Sequence, residues 1–220
     1  MASAEFYKLL TARTPAERDQ DHINLVLISD AEMPDRTAAI LDPAHKEDRA
    51  VIEQKLIEDV NDLKQAGCKG FCITCNTAHY FAELLSEKFP IPLVSMISGA
   101  ADELAKRIPK GRVGIMAAEG TLQSEIYQPQ LKARGMEPVL LSAGGRSATS
   151  ALIFGCIKAG KAADPKLLAQ IDAEVESLNL DAVLLACTEL SVIKQQGGFA
   201  TKYIDAMEIL ADNVIKFMRG

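Results

Sequence analysis

The sequence predicts an α/β fold in which a parallel sheet is covered by helices on both faces. Segments with helical periodicity alternate with short apolar runs along the chain, which is the pattern of βαβ units. Two of these runs, 69–74 and 181–186, are almost continuously apolar, as buried parallel strands are. A cysteine follows each run directly, ahead of a further helical segment. Both cysteines are therefore predicted at the carboxyl edge of a sheet, where α/β proteins place their sites.

In the first half, the pattern predicts helices and strands in turn. A helix is expected over about 2–11, and apolar residues at three- and four-residue spacing predict another over 47–66, ended by Gly67. The strand 69–74 comes next. A second strand is predicted over 91–96, followed by a helix.

The second half opens with a strand. Residues 112–117 predict it, and a helix is expected from about Leu122. Asp164 followed by Pro165 is a helix-start signal, and the resulting helix leads into strand 181–186. A strand over 202–205 and a final helix complete this half. Between these elements, Gly144-Gly145-Arg146-Ser147 lacks the spacing of a phosphate-binding loop and is expected to be a flexible connection.

The two halves have the order expected of copies of one unit. Ser95 follows Cys75 at nearly the same interval as Asp205 follows Cys187. Such a duplication predicts two lobes with the two thiols facing each other across the cleft between them.

The lobe boundaries follow from the same comparison. Residues 1–97 with 206–220 are assigned to the N-terminal lobe, and 98–205 to the C-terminal lobe. The C-terminal lobe opens with a strand, whereas the N-terminal lobe opens directly with a helix. The expectation is that the N-terminal lobe lacks its first strand and the turn after it.

Composition limits the class of protein. The 220 residues are 48% apolar and carry a formal charge of −6, which suits a globular protein and disfavours nucleic acid as a partner. The sequence contains neither a signal-peptide pattern nor an apolar stretch long enough for a membrane span. We therefore expect a cytoplasmic protein without membrane or nucleic-acid partners.

The five cysteines are expected to be thiols. The spacing of Cys68, Cys72, Cys75 and His79 resembles that of metal ligands. However, residues within one strand point to different sides, and no second pair of closely spaced ligands follows. No metal is therefore predicted. Cys68, Cys72 and Cys156 are interpreted as small buried apolar residues.

The remaining two cysteines, Cys75 and Cys187, have a context that predicts chemistry. A helix N-terminus lowers the pKa of a thiol, so both are expected to be acidic thiols. Two of them facing one cleft suggest a paired acid and base.

At these residues the chain resembles the aspartate/glutamate racemase superfamily, and within it the aspartate racemases most. The resemblance spans essentially the whole chain. It depends on Cys75-Asn76-Thr77-Ala78-His79, Cys187-Thr188-Glu189, Pro34-Asp35-Arg36-Thr37 and Lys158-Ala159-Gly160. Members of that family normally carry a hydrophobic strand and a Gly-rich turn ahead of their first helix, which agrees with the expectation from the repeat.

The resemblance implies an activity and a site. It implies interconversion of L- and D-aspartate by a thiolate and a thiol, Cys75 and Cys187, without pyridoxal phosphate or any other cofactor, in a homodimer. Arg36 and Lys158 would bind the carboxylates of an acidic amino acid or dicarboxylate. The remaining implied substrate-binding residues, which would supply hydrogen-bond donors, are Asn76, Thr77, Thr121 and Thr188.

Other interpretations stay open at this stage. The superfamily also includes maleate cis–trans isomerases, in which the first cysteine would add covalently to the substrate, and a dicarboxylate-binding protein without turnover is a third alternative. For single residues, Asp35 and Arg36 would also suit a surface ion pair, Lys158 a solvated helix end, and His79 a hydrogen-bonded structural histidine.

Overall fold

A computed structural model describes residues 2–199 and 202–220. It confirms the α/β class: helices surround a four-stranded parallel sheet with the strand order β2-β1-β3-β4. All four strands belong to the second half of the chain: β1 (Arg112–Ala117), β2 (Glu137–Leu140), β3 (Ala182–Ala186) and β4 (Tyr203–Asp205).

Helices account for most of the remaining described chain. Short 3₁₀ turns lie at Asp19–Asp21, Pro43–His45 and Ser86–Lys88, and a π-helical segment spans Ala151–Ile157. Within the described residues the α-helices are α1 (Ala2–Arg13), α2 (Arg36–Leu41), α3 (Asp48–Gln65), α4 (His79–Leu84), α5 (Met96–Arg107), α6 (Glu119–Gln123), α7 (Gln128–Ala133), α8 (Ala143–Ser150), α9 (Pro165–Ser177), α10 (Thr188–Gln195) and α11 (Ala206–Arg219).

The two central strands are the apolar runs of the second half. Every residue of β3 and all of β1 except Arg112 is buried, because helices cover both faces of the sheet. The predictions for 112–117 and 181–186 are confirmed, and the strand predicted over 202–205 begins at Tyr203. The helix predicted from about Leu122 begins earlier, at Glu119.

The strands predicted over 69–74 and 91–96 are wrong as full strands. Phe71 and Leu93 form one isolated parallel bridge, through hydrogen bonds from Phe71 N to Pro92 O at 3.0 Å and from Val94 N to Phe71 O at 2.7 Å. A ladder requires pairing along several residues, and no other backbone bond joins these segments among the residues described. Helix α5 then begins at Met96, inside the predicted strand.

Helices α5 and α11 begin at positions that correspond in the repeat, and both have a side-chain N-cap. Ser95 is the N-cap of α5, where its Oγ accepts a hydrogen bond from Ser98 N. Asp205 is the N-cap of α11, where Oδ1 accepts from Met207 N at 2.8 Å. The two positions that correspond in the repeat therefore satisfy the same backbone requirement, that of the unpaired N–H groups at a helix N-terminus. Asp164 caps α9 as predicted.

One large core joins the two halves. Phe6 and Leu10 of α1, with the apolar faces of α5 and α11, pack against one face of β1 and β3. A second core on the other face contains α9, α10 and the π-helical segment. Helix α11 packs in this core against α1 and α5 as well as against the sheet.

The Gly144–Ser147 segment is not a flexible connection. It lies within α8, which Ser142 caps by accepting a hydrogen bond from Gly145 N at 3.2 Å. A Cβ at Gly145 would lie 2.3 Å from Oε2 of Glu174. It would also lie 2.9 Å from Cβ of Leu141, so glycine lets the start of α8 pack closely against its neighbours, a role that the local pattern did not reveal. None of the helices in the described part of the chain has the length and apolar character needed to cross a bilayer.

Candidate functional site

Seven of the eight predicted site residues line one small cavity between the two halves of the chain. Its volume is about 100 Å³, well below the roughly 300–1,000 Å³ of sites for drug-sized ligands. We call it the cleft cavity. The predicted residues that line it are Arg36, Cys75, Asn76, Thr77, Lys158, Cys187 and Thr188.

Cys75 lies in the connection that follows the Phe71 bridge, not at a helix N-terminus. Helix α4 begins only at His79, so the unpaired N–H groups of a helix N-terminus do not directly follow Cys75. The side chain is a free thiol and is partly exposed. Among the residues described, no carboxylate hydrogen-bonds to it.

His79 fixes the backbone at Cys75. The imidazole is fully buried, with Nδ1 2.8 Å from the Cys75 carbonyl oxygen and Nε2 3.1 Å from Met96 N. The carbonyl oxygen requires a donor at Nδ1, and Met96 N–H requires an acceptor at Nε2, so the ring is the neutral Nδ1–H tautomer. Burial lowers the pKa of His79 to about 4. The structural interpretation of His79 therefore fits the geometry, and the ring ties Cys75 to the start of α5.

Cys187 is the N-cap residue of α10 and is buried. The expectation of a lowered pKa is wrong for this thiol. Desolvation by burial and the neighbouring Glu189 carboxylate raise the pKa of Cys187 well above its ordinary value, and they outweigh the helix N-terminus. Cys187 is therefore a protonated thiol at neutral pH.

Glu189 is a cavity residue that the sequence analysis did not assign. Its Oε2 accepts hydrogen bonds from Cys187 Sγ at 2.9 Å and from Thr188 Oγ1 at 3.4 Å. Its side chain is 15% exposed, and in the first turn of α10 the carboxylate is favoured by the helix dipole. The signal in the sequence that would have identified it is an acidic residue two positions after a cysteine at a helix N-terminus.

We expect the Glu189→Gln variant to alkylate faster at Cys187. Removing the carboxylate charge lowers the pKa of this thiol, because a thiolate there no longer faces a negative group. At pH 8 the rate with iodoacetamide, followed by mass spectrometry of the peptide that contains Cys187, should rise several-fold. Glu176→Gln, on the exposed surface of α9, is the matched control and should leave the rate unchanged. An unchanged rate in Glu189→Gln would contradict the assigned contact.

Lys158 is one of the two cations at the cavity. Its Nζ lies 3.9 Å from Oε1 of Glu189 and 4.5 Å above the centre of the Phe154 ring. The π-helical segment, which contains Phe154, ends directly before Lys158, and such segments often occur at functional sites. Lys158 is 42% exposed. Lys158 is therefore a half-exposed cation at the edge of the cavity, in contact with Glu189 and Phe154, rather than a lysine surrounded by solvent alone.

Arg36 is the other cation, at the first position of α2. Nη1 of its guanidinium donates to the carbonyl oxygens of Met33, at 3.2 Å, and Pro34, at 2.9 Å. Asp35 does not form an ion pair with it: Oδ1 of Asp35 caps α2 by accepting from Ala38 N at 3.0 Å. In the described part of the chain, the rest of the fork has no partner, so it is available to bind an anion.

The polar side chains behind the cavity form a buried hydrogen-bonded layer. Tyr127 donates from its hydroxyl to Oδ1 of Asn76 at 2.5 Å. The buried Nδ2 of Asn76 has no acceptor within the described residues. Thr77 Oγ1 and Thr121 Oγ1 are 2.8 Å apart. Thr121 is buried and does not line the cavity. It is therefore a neighbour of the cavity wall, not a direct contact.

Gly120 permits the close approach that places α2 beside this layer. A Cβ there would lie 2.8 Å from Oγ1 and 2.9 Å from Cα of Thr37, and 3.0 Å from Cγ2 of Thr77. Two of these atoms cannot move without displacing backbone or buried packing. The glycine therefore lets α6 and α2 meet and brings Arg36 to the cleft cavity.

The Gly120→Ala variant is expected to lose about 1–3 kcal/mol of unfolding free energy, as overpacked sites do. Urea denaturation would measure it. Gly155→Ala is the matched control, because a Cβ at Gly155 meets nothing within 4 Å. Equal stability of the two variants would show that α2 and α6 are not in tight contact.

The arrangement limits the chemistry of the cavity. In residues 2–199 and 202–220, no group of three or more His, Cys, Asp or Glu side chains is placed to hold a metal ion. The cavity is lined by two thiols, two cations, two carboxylates and several amide and hydroxyl groups. Such a set is suited to binding a small anion and to moving protons.

Comparison with known proteins places the chain in a family. A family model described as Asp/Glu/Hydantoin racemase matches residues 1–214. The structure of Picrophilus torridus aspartate racemase superimposes with a TM-score of 0.82 at 27% identity, covering 99% of this chain and 89% of that chain.

Curated relatives agree at lower identity. The broad specificity amino-acid racemase RacX of Bacillus subtilis (strain 168) is 24% identical over 168 residues, which are 76% of this chain and 73% of RacX. The glutamate racemase of Aquifex aeolicus (strain VF5) is 26% identical over 142 residues, 63% of this chain but only 53% of that protein. Because the family match runs through nearly the whole chain and includes both cysteine segments, the chain belongs to the Asp/Glu/hydantoin racemase family.

Proposed function

We propose that the protein is an amino-acid racemase that interconverts L- and D-aspartate by proton transfer between two cysteines, without pyridoxal phosphate. The observation that carries the proposal is the presence of Cys75 and Cys187 on the same small cavity. Racemisation removes the α-proton from one face and returns one to the other. A substrate held in one orientation therefore needs an acid and a base on opposite sides.

The two thiols differ, which supports separate roles in the resting protein. Cys187 is held protonated by burial and by Glu189, so we assign it as the acid. Cys75 is partly exposed and has no carboxylate partner among the described residues, so we assign it as the base, acting as a thiolate. The roles exchange when the opposite enantiomer is the substrate.

The proton transfers balance. Sγ of Cys75 takes the α-proton, and the electron pair of the C–H bond passes to Cα and into the adjoining carboxylate. Sγ–H of Cys187 then delivers its proton to the opposite face of Cα. One thiol forms as the other becomes a thiolate, next to Glu189. Because a thiolate beside a carboxylate is unfavourable, Cys187 takes up a proton from water once the product leaves. Cys75, which is partly exposed, releases the α-proton to water, and the starting state returns.

The charges of the cavity support an acidic substrate. Arg36 offers the unpartnered part of its guanidinium fork, and Lys158 offers a half-solvated ammonium group. Two cations suit two carboxylates better than one, and they stabilise the negative charge that develops on deprotonation. The small cavity volume favours aspartate, with glutamate second.

The experiment is α-hydrogen exchange in D₂O, followed by NMR and by chiral chromatography. Protein treated with hydroxylamine to remove any pyridoxal phosphate should exchange and invert L- and D-aspartate faster than glutamate and much faster than alanine. Loss of all exchange in folded protein would contradict a racemase. A maleate-derived adduct on Cys75, detected by mass spectrometry, would instead favour the cis–trans isomerase.

A further inference from the structure

Two carboxylates line the cleft cavity, and they differ in what they offer to a ligand. Asp35 is exposed, and its Oδ1 accepts the hydrogen bond from Ala38 N that caps α2. Glu189 uses Oε2 for the hydrogen bonds from Cys187 and Thr188. Its Oε1 receives no hydrogen bond from any residue that the structure describes, so this oxygen is available to a donor in the cavity.

The cation that faces Glu189 is held loosely. Nζ of Lys158 lies 3.9 Å from Oε1 of Glu189, which is longer than a hydrogen bond, and 4.5 Å from the centre of the Phe154 ring. The lysine side chain is 42% exposed, whereas that of Glu189 is 15% exposed. The carboxylate is therefore the more desolvated partner, and a desolvated charge gains more from a close counter-ion than an exposed one does.

An acidic amino acid brings three charges to this cavity. Under the proposed function its two carboxylates bind Arg36 and Lys158, and its α-ammonium group needs an anion. Binding would exchange the loose pair of Lys158 and Glu189 for two close pairs, one from Lys158 to a carboxylate and one from Glu189 to the ammonium group. A dicarboxylate without an amino group would occupy Lys158 and leave Glu189 without a cation, which is costly for a largely buried charge.

The position of Glu189 also fits the atom that carries the ammonium group. In the proposed reaction, on which this inference rests, Sγ of Cys187 delivers a proton to Cα, and reacting atoms lie about 3–3.5 Å apart. The ammonium nitrogen is one bond of about 1.5 Å from Cα, so its anion must lie beside Cys187. Oε2 of Glu189 is 2.9 Å from that sulfur. One carboxylate can therefore contact the thiol through Oε2 and the ammonium group through Oε1.

We propose that Glu189 binds the α-ammonium group of the substrate through Oε1, and that this contact makes the cavity select amino acids over dicarboxylates without an amino group. Lys158 then turns from Glu189 to a carboxylate of the substrate. The bound positive charge also offsets the effect of the Glu189 carboxylate on Cys187, because both groups contact the same side chain. The thiol of Cys187 therefore gives up its proton more readily beside a bound amino acid than in the unbound protein.

Isothermal titration calorimetry with two ligands tests the assignment. Succinate has the carbon chain and both carboxylates of aspartate but no amino group, and DL-aspartate undergoes no net racemisation during the titration. In the Glu189→Gln variant the dissociation constant of DL-aspartate should rise by about 30-fold, the lower end of the effect of losing one partner of a buried charge pair. The dissociation constant of succinate should stay unchanged or fall, because a like charge has been removed. Retained succinate binding also shows that the variant is folded.

The matched control is Asp35→Asn. It neutralises the other carboxylate of the cavity lining, and asparagine still caps a helix, so this variant should keep the preference of the parent protein for aspartate over succinate. The conservative variant Glu189→Asp should keep part of that preference, because a carboxylate remains at the position.

Four results would overturn the assignment. Equal loss of both ligands in Glu189→Gln would give this side chain a structural role, and an unchanged ratio of the two dissociation constants would give it no role in selection. Loss of the preference in Asp35→Asn alone would move the ammonium group to Asp35. A parent protein that binds neither ligand would contradict both the assignment and the proposed function.

Failure of the proposed function alone gives a different result. A parent protein that exchanges the α-hydrogen of aspartate in D₂O, but whose preference survives in Glu189→Gln, would be a racemase without this ammonium site. A parent protein without exchange that loses its preference in Glu189→Gln would be an amino-acid-binding protein in which Glu189 holds the ammonium group.

Discussion

Replacing Cys187 with alanine is expected to reduce aspartate racemisation by roughly 10³-fold, within the range that a general acid or base contributes. The Cys75→Ala variant should lose a similar factor. Each variant keeps one thiol, so each should still exchange the α-hydrogen of only one enantiomer with D₂O, and the two variants should prefer opposite enantiomers. NMR of the separate L- and D-aspartate samples measures this.

The control for this pair is Cys68→Ala. Cys68 packs beside a small apolar cluster away from the cleft cavity, so its variant should racemise like the parent protein. Two cysteine variants that both exchange both enantiomers would rule out the two-thiol assignment. Far-ultraviolet circular dichroism distinguishes lost chemistry from lost structure.

The His79→Gln variant is expected to differ from the parent in the pH dependence of its stability. The pKa of His79 is lowered to about 4 in the folded protein, against about 6.5 unfolded. The stabilisation that the neutral imidazole gives to the folded protein is therefore present above about pH 6.5 and is lost as the pH falls toward 4. The difference in unfolding free energy between the parent and the variant should therefore shrink by about 2 kcal/mol as the pH falls from 7 to 4.5. Urea denaturation at several pH values measures this.

Asp205 provides a control of opposite sign. Burial raises its pKa to about 6, and Oδ2 has no partner within the described residues. Its stabilising contribution is present below its ordinary pKa of 3.8 and is lost as the pH rises through about 6. The unfolding free energy of the parent should therefore rise relative to that of Asp205→Asn as the pH falls from 6.5 to 4.

For the histidine, curves of unfolding free energy against pH that run parallel for the parent and His79→Gln would show that the imidazole is not buried and neutral.

The features that were predictable from sequence depend on local patterns. Continuous apolar runs identified β1 and β3, and Asp164 with Pro165 identified the start of α9. Periodicity also placed α3 within about one residue. The position of Cys187 at a strand–helix junction followed from the same signals, because a buried strand and the helix after it each leave a local signature.

The features that were missed depend on partners distant in sequence. Residues 69–74 have the composition of a strand, but a strand exists only where neighbours supply a ladder of hydrogen bonds, and only Phe71 has them. The thiol pKa of Cys187 was misjudged because a helix N-terminus is visible in sequence, whereas burial and the direction of the Glu189 side chain are not. Gly145 was placed in a loop because its packing partner, Glu174, belongs to another helix.

The core shared by α1, α5, α11 and the sheet has a consequence for how the molecule comes apart. Phe6, Ile97 and Leu210 pack in the same cluster as Ile115 and Leu184, so neither half retains a complete core without the other. Heating should therefore melt the protein in a single cooperative transition rather than in two steps. The two cysteine-bearing walls are held at a fixed spacing by the same packing that sets the melting temperature.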